Sequence, residues 1–445
     1  MTRNTQPVII LGAGLAGLTA AAYLHRHGIP VRVFEGGANI AGLCRSEKDE
    51  AGFTYDCGAH FLTNRLAAAV GMSADCRPMP RYGETVYYQK RLYSYPFGLL
   101  RSPQFLLSAL ISKCGALFRR PAQTATEHYR NQYGRALADR IAMPLTAAWS
   151  GASGDDLAAS VGEKFSTSLP WMIALRLAAR LTRRTVAIGY SSTVVESPST
   201  WHVYPEGGIA MLCEQLASEV REHIHTNSKV ESILVEHEGV TGVRVNGEII
   251  PSQTVISTAP VHILPKLMQG TDRLAYLSLF EYRSMVFINL KIDGPSKLPD
   301  VVTWTPEADF PFFRVSDIGL GLPWLVPENK TLVTCDIGCQ LGDEVWQASE
   351  EELTDRCMAG LEKIVPGIRS RIIGSRVVRV PLAYPVFRKG YESDRRRFEH
   401  DSGINGLISV GRNGEFAHIL MEDVYWRTRW KLSKFLREQC IAEQN

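Results

Sequence analysis

Val8, Ile9, Ile10 and Leu11 form an unbroken apolar run, the pattern of a parallel strand covered on both faces. The stretch Gly12-Ala13-Gly14-Leu15-Ala16-Gly17 follows at once, and the spacing after it predicts a helix over 18–27, stopped by Gly28 and Pro30. A second strand is predicted over 31–34, closed by Glu35. Farther along, residues 97–196 read mostly as helix, with 129–144 and 170–184 the clearest periodic pieces. Residues 284–292 and 331–337 alternate as half-buried strands, and 350–364 is an amphipathic helix. No repeat, low-complexity tract or Ser/Pro-rich linker interrupts the chain.

The order strand, glycine turn, helix, strand, acid is what a dinucleotide requires. Gly12 permits the tight turn, Gly14 lets backbone approach a pyrophosphate, and Gly17 lets the helix pack closely on the sheet. Free amides and the positive dipole end of that helix then face the phosphates. Glu35 lies 18 residues after Gly17, where a carboxylate accepts hydrogen bonds from ribose hydroxyls and repels a 2′-phosphate.

Motifs with a wider reach follow. Residues 41–46 read AGLCRS and residues 52–61 read GFTYDCGAHF; Tyr95-Pro96 and the YPEGG of residues 204–208 follow. Strands begin at Val230 and Val255, Tyr384 and Tyr391 bracket YPVFRKGY, and residues 410–421 read VGRNGEFAHILM. Along nearly its whole length the chain resembles the flavoprotein group of protoporphyrinogen oxidases, amine oxidases, phytoene desaturases and UDP-galactopyranose mutases. The resemblance implies an α/β fold: a Rossmann-type, glutathione-reductase-like FAD-binding domain, discontinuous over 1–80, 200–270 and 380–445. A helical insertion over 97–196 and an inserted mixed-sheet substrate domain over 271–380 complete it.

The same resemblance implies which residues meet FAD. Gly12, Ala13, Gly14, Leu15, Ala16, Gly17 and Glu35 form the first contact region. Gly42 and Leu43 wrap the pyrophosphate and ribityl chain, with Arg45 as phosphate clamp. Gly58, Ala59, His60 and Phe61 run beside the isoalloxazine, and Val230 meets adenine through its backbone. Gly411 and Arg412 precede a helix whose amides at Leu420 and Met421 point at flavin N1 and O2, stabilising charge that develops there on reduction. Ala41 stands where relatives usually carry a glycine, so the backbone there is expected to avoid φ > 0 or to relax. The cysteine that tethers flavin in amine oxidases precedes the C-terminal motif, and no cysteine occurs here between Cys357 and Cys440; noncovalent FAD is therefore expected.

Composition trims the list of partners. Lys plus Arg number 49 against 46 Asp plus Glu, a net charge of +3, so no global basic field marks a nucleic-acid binder. Nine cysteines without a C-x-x-C read as reduced thiols in a cytoplasmic protein, with no metal site. No apolar stretch is long enough to span a membrane. The charge is nevertheless segregated: residues 97–184 hold twelve Lys/Arg and five Asp/Glu, or +7, leaving −4 for the remainder. On a wheel of 171–184, Arg176, Arg180, Arg183 and Arg184 form one stripe opposite Ala174, Leu177, Ala178 and Leu181. That stripe is a solvated face over a core-packed one, a contact with an anionic membrane, or a grip on an anionic substrate.

Flavin supplies the redox chemistry, so few side chains need act directly. His60 and Tyr384 are the catalytic candidates, the first for orienting substrate or moving a proton and the second as a wall of the substrate cavity, with Tyr391 as its companion. The charge run Arg388, Lys389, Arg395, Arg396 and Arg397 reads as a solvated loop. The expected function is an FAD-dependent oxidoreductase passing hydride from a small organic molecule to flavin N5. The alternatives are a flavin-dependent isomerase of a nucleotide sugar and a flavin-free escort protein of the same fold. The sequence sets neither substrate nor oligomeric state.

Overall fold

In a computed structural model, residues 6–58, 61–95, 97–114, 121–164 and 169–442 are described; Ala59, His60 and Pro96 lie outside them. Five parallel strands form the first sheet, in the order Ile224–His225, Val31–Phe34, Val8–Leu11, Val255–Ser257 and Leu407–Ser409. Val8–Leu11 is central and buried at every position, as its apolar run requires. The helix Leu15–Arg26 covers one face through Leu18, Ala21, Ala22 and Leu24, and packs on the C-terminal helix Met421–Ala442. The sheet thus gathers strands from three separated stretches of chain.

A seven-stranded sheet stands beside it, in the order Ile372–Val386, Glu281–Asp293, Lys330–Cys339, Arg314–Asp317, Val302–Trp304, Glu84–Tyr88 and Arg91–Ser94. It runs past residue 380 at one edge and takes two strands from before the helical insertion at the other. The strands read from sequence as half-buried are buried on both faces. Val286, Ile288 and Leu290 pack with Leu353, Cys357 and Leu361 of the helix Glu350–Ile364, while Met285 and Phe287 turn to the opposite face and meet Phe313 and Val380. Ser349 caps that helix by accepting from Glu352 N at 3.1 Å.

The helical insertion departs from its periodic reading in two places. The piece expected over 129–144 is broken at Gly134, whose φ of +82° ends Ala125–Tyr133. A side chain at Gly134 would strike the Ser108 carbonyl of the helix Pro103–Cys114, so glycine is needed for both conformation and approach. The second departure concerns Leu169–Thr182. Arg183 turns to φ +54°, so Arg183 and Arg184 fall beyond the helix. Its expected core stripe faces outward, with Leu177 54% and Leu181 84% exposed. Leu175 is buried instead, and Arg176 is half-buried, donating to the Tyr95 carbonyl at 2.6 Å. Leu107, Leu110 and Ile111 of Pro103–Cys114 are likewise exposed.

The charge run at 388–397 is not a solvated loop. Glu392–His400 is helical, and Arg395 is buried between Glu392 and Glu399 with its guanidinium over the Phe387 ring. Six cysteines (Cys44, Cys57, Cys213, Cys335, Cys339 and Cys357) are buried free thiols. Among the described residues no helix is long and apolar enough to cross a membrane, and no His/Cys/Asp/Glu group could hold a metal ion.

Candidate active site

The glycine turn forms one wall of a narrow cradle. Gly12 turns at φ +93° and Gly14 caps the helix Leu15–Arg26 in extended conformation. A Cβ on Gly17 would collide with the Gly12 carbonyl oxygen, so the turn closes only because residue 17 lacks a side chain. The second wall is the loop through Ala41 and Gly42, tied down by Ala41 N donating to Ala13 O at 2.8 Å. Ala41 does not avoid the left-handed region: it sits at φ +79°, buried, and its carbonyl accepts from Cys44 N. Packing and these two hydrogen bonds offset a strain of about 1 kcal/mol for a non-glycine residue there.

Glu35 is fixed at the end of the cradle. Its carboxylate accepts from Ala13 N at 2.9 Å and Gly37 N at 2.8 Å. The Glu35 carbonyl accepts from Ser228 N, which brings the segment leading to Val230 alongside. Two backbones in close approach, a helix N-terminus and an anchored acid fit a dinucleotide; any added Cβ between Gly14 and Gly42 would occupy the gap.

Beyond the helix start, Gly411 at φ +85° lies so near Ala16 that a Cβ would stand 2.6 Å from the alanine methyl. Arg412 donates from Nε and Nη2 to the Ile419 carbonyl, at 3.0 and 2.8 Å, just before Leu420 and Met421 open the C-terminal helix. The first turn of that helix is clamped by its own acids. Glu422 accepts from Thr63 Oγ1 and Arg65 Nε, both at 2.6 Å; Asp423 accepts from Ser191 Oγ, Ser192 N and Thr193 N. Met421 Sδ meets Cys44 Sγ at 3.7 Å. Gly58 at φ +93° presses against Phe287, and Phe61 N donates to Tyr190 OH at 3.2 Å. Leu43, like Val378 and Tyr384, packs against the buried cluster that holds Met285 and Phe287. Arg45 is exposed and lines a cavity with Tyr55, Cys57 and Arg376. Asp56, within the 52–61 motif, accepts from Tyr204 OH at 2.5 Å and from Ser46 Oγ, and burial pushes its carboxyl up.

A second group of side chains gathers around Tyr384. Its ring lies 5.7 Å from Trp149 and 5.1 Å from His418, and those two are 4.7 Å apart. The Arg412 guanidinium stands 5.5 Å from the same tyrosine. Trp149 comes from the helical insertion, Tyr384 from the seven-stranded sheet, and His418 from the loop before the C-terminal helix. On the same sheet face Arg314 pairs with the fully buried Asp336 and lies over Trp304, whose Nε1 donates to Glu84 at 2.7 Å. His202, under Phe61, Tyr82 and Tyr190, is pushed down to about 4 by burial. Tyr391 does not join this group: it stacks on Phe280 at 4.6 Å inside the core. Trp149 and Trp304 escaped sequence reading because nothing local marks them; His418, inside the 410–421 motif, and Asp423, just after it, carry no signal of their own beyond that motif. Ala59 and His60 lie outside the described residues.

The family model described as flavin containing amine oxidoreductase matches residues 15–425. Protoporphyrinogen oxidase 2, chloroplastic/mitochondrial, of Arabidopsis thaliana is 22% identical over 467 residues, covering 91% of each chain. Reduced UDP-galactopyranose mutase superimposes with a TM-score of 0.78 at 18% identity, over 97% of this chain and 94% of that one. Cyclohexylamine oxidase from Brevibacterium oxydans IH-35A gives 0.68 at 14% identity, over 96% and 99%.

Proposed function

The chain belongs to the flavin containing amine oxidoreductase family, and from that premise we propose that it is an FAD-dependent oxidase or dehydrogenase of a small organic substrate seated at Tyr384. The observation that carries this reading is the meeting of Trp149, Tyr384 and His418 from three separate parts of the chain, next to Arg412. Gly12 to Gly17, Glu35 and Gly42 would hold the dinucleotide, and the start of the C-terminal helix would face the ring. FAD, when bound, supplies the two-electron acceptor. The chain's own part is to exclude water and orient the substrate: the aromatic group offers apolar faces, and His418 and Tyr384 offer polar atoms at their edges.

Anaerobic mixing of the yellow protein with candidate substrates, or with a metabolite extract, tests this reading through loss of the oxidised-flavin band. Turnover that requires prior reduction, without such loss, would point instead to an isomerase of a nucleotide sugar. Protein isolated without flavin and no less stable for it would point to a binding protein. Heat or acid should release the chromophore, because no cysteine occurs between Cys357 and Cys440, where the tethering cysteine would stand.

The helical insertion extends the proposal to where the enzyme works, an anionic membrane surface. Leu107, Leu110, Ile111, Leu177 and Leu181 are exposed, and Arg101, Lys113, Arg180, Arg183 and Arg184 stand exposed among them. Apolar side chains rimmed by cations suit the headgroup region of an anionic bilayer.

A further inference from the structure

We propose that Tyr190 is a flavin-contacting residue whose phenol donates a hydrogen bond to the bound ring, and that Asp423 is the positioning residue that holds it there. This deepens the oxidoreductase reading and rests on its flavin. The phenol oxygen accepts at 3.2 Å from the backbone N of Phe61, the last residue of the 52–61 motif. A tyrosine hydroxyl accepts and also donates, and among the described residues no acceptor takes the Tyr190 proton. The ring packs against the buried cluster that holds Cys44, Phe61 and Met421, and meets His202 edge-on at 5.2 Å. Burial pushes the phenol well above its ordinary range, and its titratable neighbours are Glu422, Arg412 and Cys44. The hydroxyl therefore stays protonated, a neutral donor among residues of the cradle.

The segment that carries this phenol is fixed, although residues 187–200 form neither helix nor strand. Two buried carboxylates provide the acceptors that a regular element would otherwise provide. Glu196 accepts from Tyr190 N and from Ser191 N, the latter at 2.8 Å. Asp423 accepts from Ser191 Oγ, from Ser192 N at 3.0 Å and from Thr193 N at 3.1 Å. Arg65 ties the far end, donating to the Val194 and Val195 carbonyls and to Glu422. Because Glu422 and Asp423 lie in the first turn of Met421–Ala442, the segment hangs on the helix start whose amides are expected at the flavin. Tyr190 thus joins that helix start to the backbone of Phe61. A carboxylate is costly to bury, and Asp423 meets the cost with bonds that hold the phenol in one place. A donor held in place beforehand stabilises negative charge that develops on reduction.

Midpoint potentials of the flavin-loaded wild type and Tyr190→Phe, measured by dye-equilibrated reductive titration without substrate, test the assignment. The variant keeps the ring and loses the donor. Its reduced-to-oxidised equilibrium should fall roughly tenfold or more, a potential more negative by about 30 mV for a two-electron couple. A merely structural tyrosine would weaken binding of both redox states alike and leave the potential unmoved. Asp423→Asn should shift the potential in the same direction by less, and the double variant should match Tyr190→Phe alone, because Asp423 acts through the phenol. Should Tyr190→Phe not fold, Asp423→Asn carries the test by itself. A potential in Tyr190→Phe equal to or more positive than wild type overturns the proposal, as does an unchanged potential in Asp423→Asn where that variant stands alone. Shifts that simply add in the double variant would strike Asp423 as the positioning residue. A flavin band that no substrate bleaches would sink the oxidoreductase reading and leave the phenol donor standing, since the potential is read without substrate.

Discussion

Gly14 and Gly42 face each other so closely that a Cβ built on Gly42 would stand 3.4 Å from the Gly14 Cα. The two walls of the cradle are therefore backbone in close approach, with no side chain between them. Gly14 itself is extended, with φ −80°, and its nearest neighbour for an added Cβ is 4.0 Å away. Gly14→Ala should leave the fold within about 0.5 kcal/mol of wild type. The methyl would crowd the ligand at a cost of about 1–3 kcal/mol, or roughly 5- to 150-fold in flavin affinity. Gly17→Ala should do the reverse in kind, lowering stability because its methyl meets the Gly12 carbonyl. Urea melts and flavin titration of the two variants side by side check this separation.

Arg314 and Asp336 form a buried ion pair on the seven-stranded sheet. Asp336 is fully buried and Arg314 nearly so, so removing one partner strands the other. Asp336→Ala is expected to cost about 3–5 kcal/mol, read as a lower denaturant midpoint. Arg314→Met combined with Asp336→Leu should recover most of it, because two apolar side chains strand no charge. A double variant no more stable than Asp336→Ala would show that the pair does more than neutralise itself.

What the sequence made legible is what is local. The apolar run at 8–11, the glycine turn, Glu35 and the amphipathic helix at 350–364 each carry their reason within a few residues, and each element stands where that reason put it. Ala41 misled because residue type alone argued against φ > 0, while its conformation is set by hydrogen bonds to Ala13 and Cys44. The helix at 169–182 misled because amphipathicity identifies a stripe but not its partner: Leu175 and the bond from Arg176 to Tyr95 fix which side faces inward. Arg395 looked solvated because helical ion pairs to Glu392 and Glu399 cannot be told from a charge run in a loop. The group at Tyr384 was half visible. Tyr384 and His418 lie within motifs far apart in the chain and Trp149 within none, and only the folded chain unites the three.

His202 makes stability depend on pH in a defined window. Burial among Phe61, Tyr82 and Tyr190 disfavours its charged form and pushes it down to about 4, from an ordinary 6.5. Above pH 6.5 the imidazole is neutral in both folded and unfolded chains and contributes no pH dependence. Between 6.5 and 4 the unfolded chain takes up a proton that the folded one refuses, so stability falls as pH falls. Over that window the loss from this group is about 3 kcal/mol. His202→Phe, which keeps an aromatic ring in place, should flatten this part of the profile. Urea midpoints of both proteins from pH 7.5 to 4 give the comparison, and parallel curves would show that His202 is protonated in the fold.

The exposed side chains of the helical insertion yield the last prediction. Leu107 and Ile111 lie on one side of Pro103–Cys114 four residues apart, 61% and 64% exposed, and Leu181 is 84% exposed on the other helix. Water contact over such surface is unfavourable by roughly 25 cal/mol per Å², and insertion at the acyl boundary removes it while Lys113, Arg183 and Arg184 meet anionic headgroups. The protein should float with vesicles containing phosphatidylserine or phosphatidylglycerol and remain at the bottom with purely zwitterionic ones. Added salt should weaken the binding in part, because the ionic contribution is screened and the apolar one is not. A Leu107→Ser, Ile111→Ser, Leu181→Ser variant should lose flotation at every salt concentration while keeping its melting temperature, since none of the three packs in a core. Flotation that survives these substitutions, or that vanishes altogether in moderate salt, would assign the attraction to charge alone.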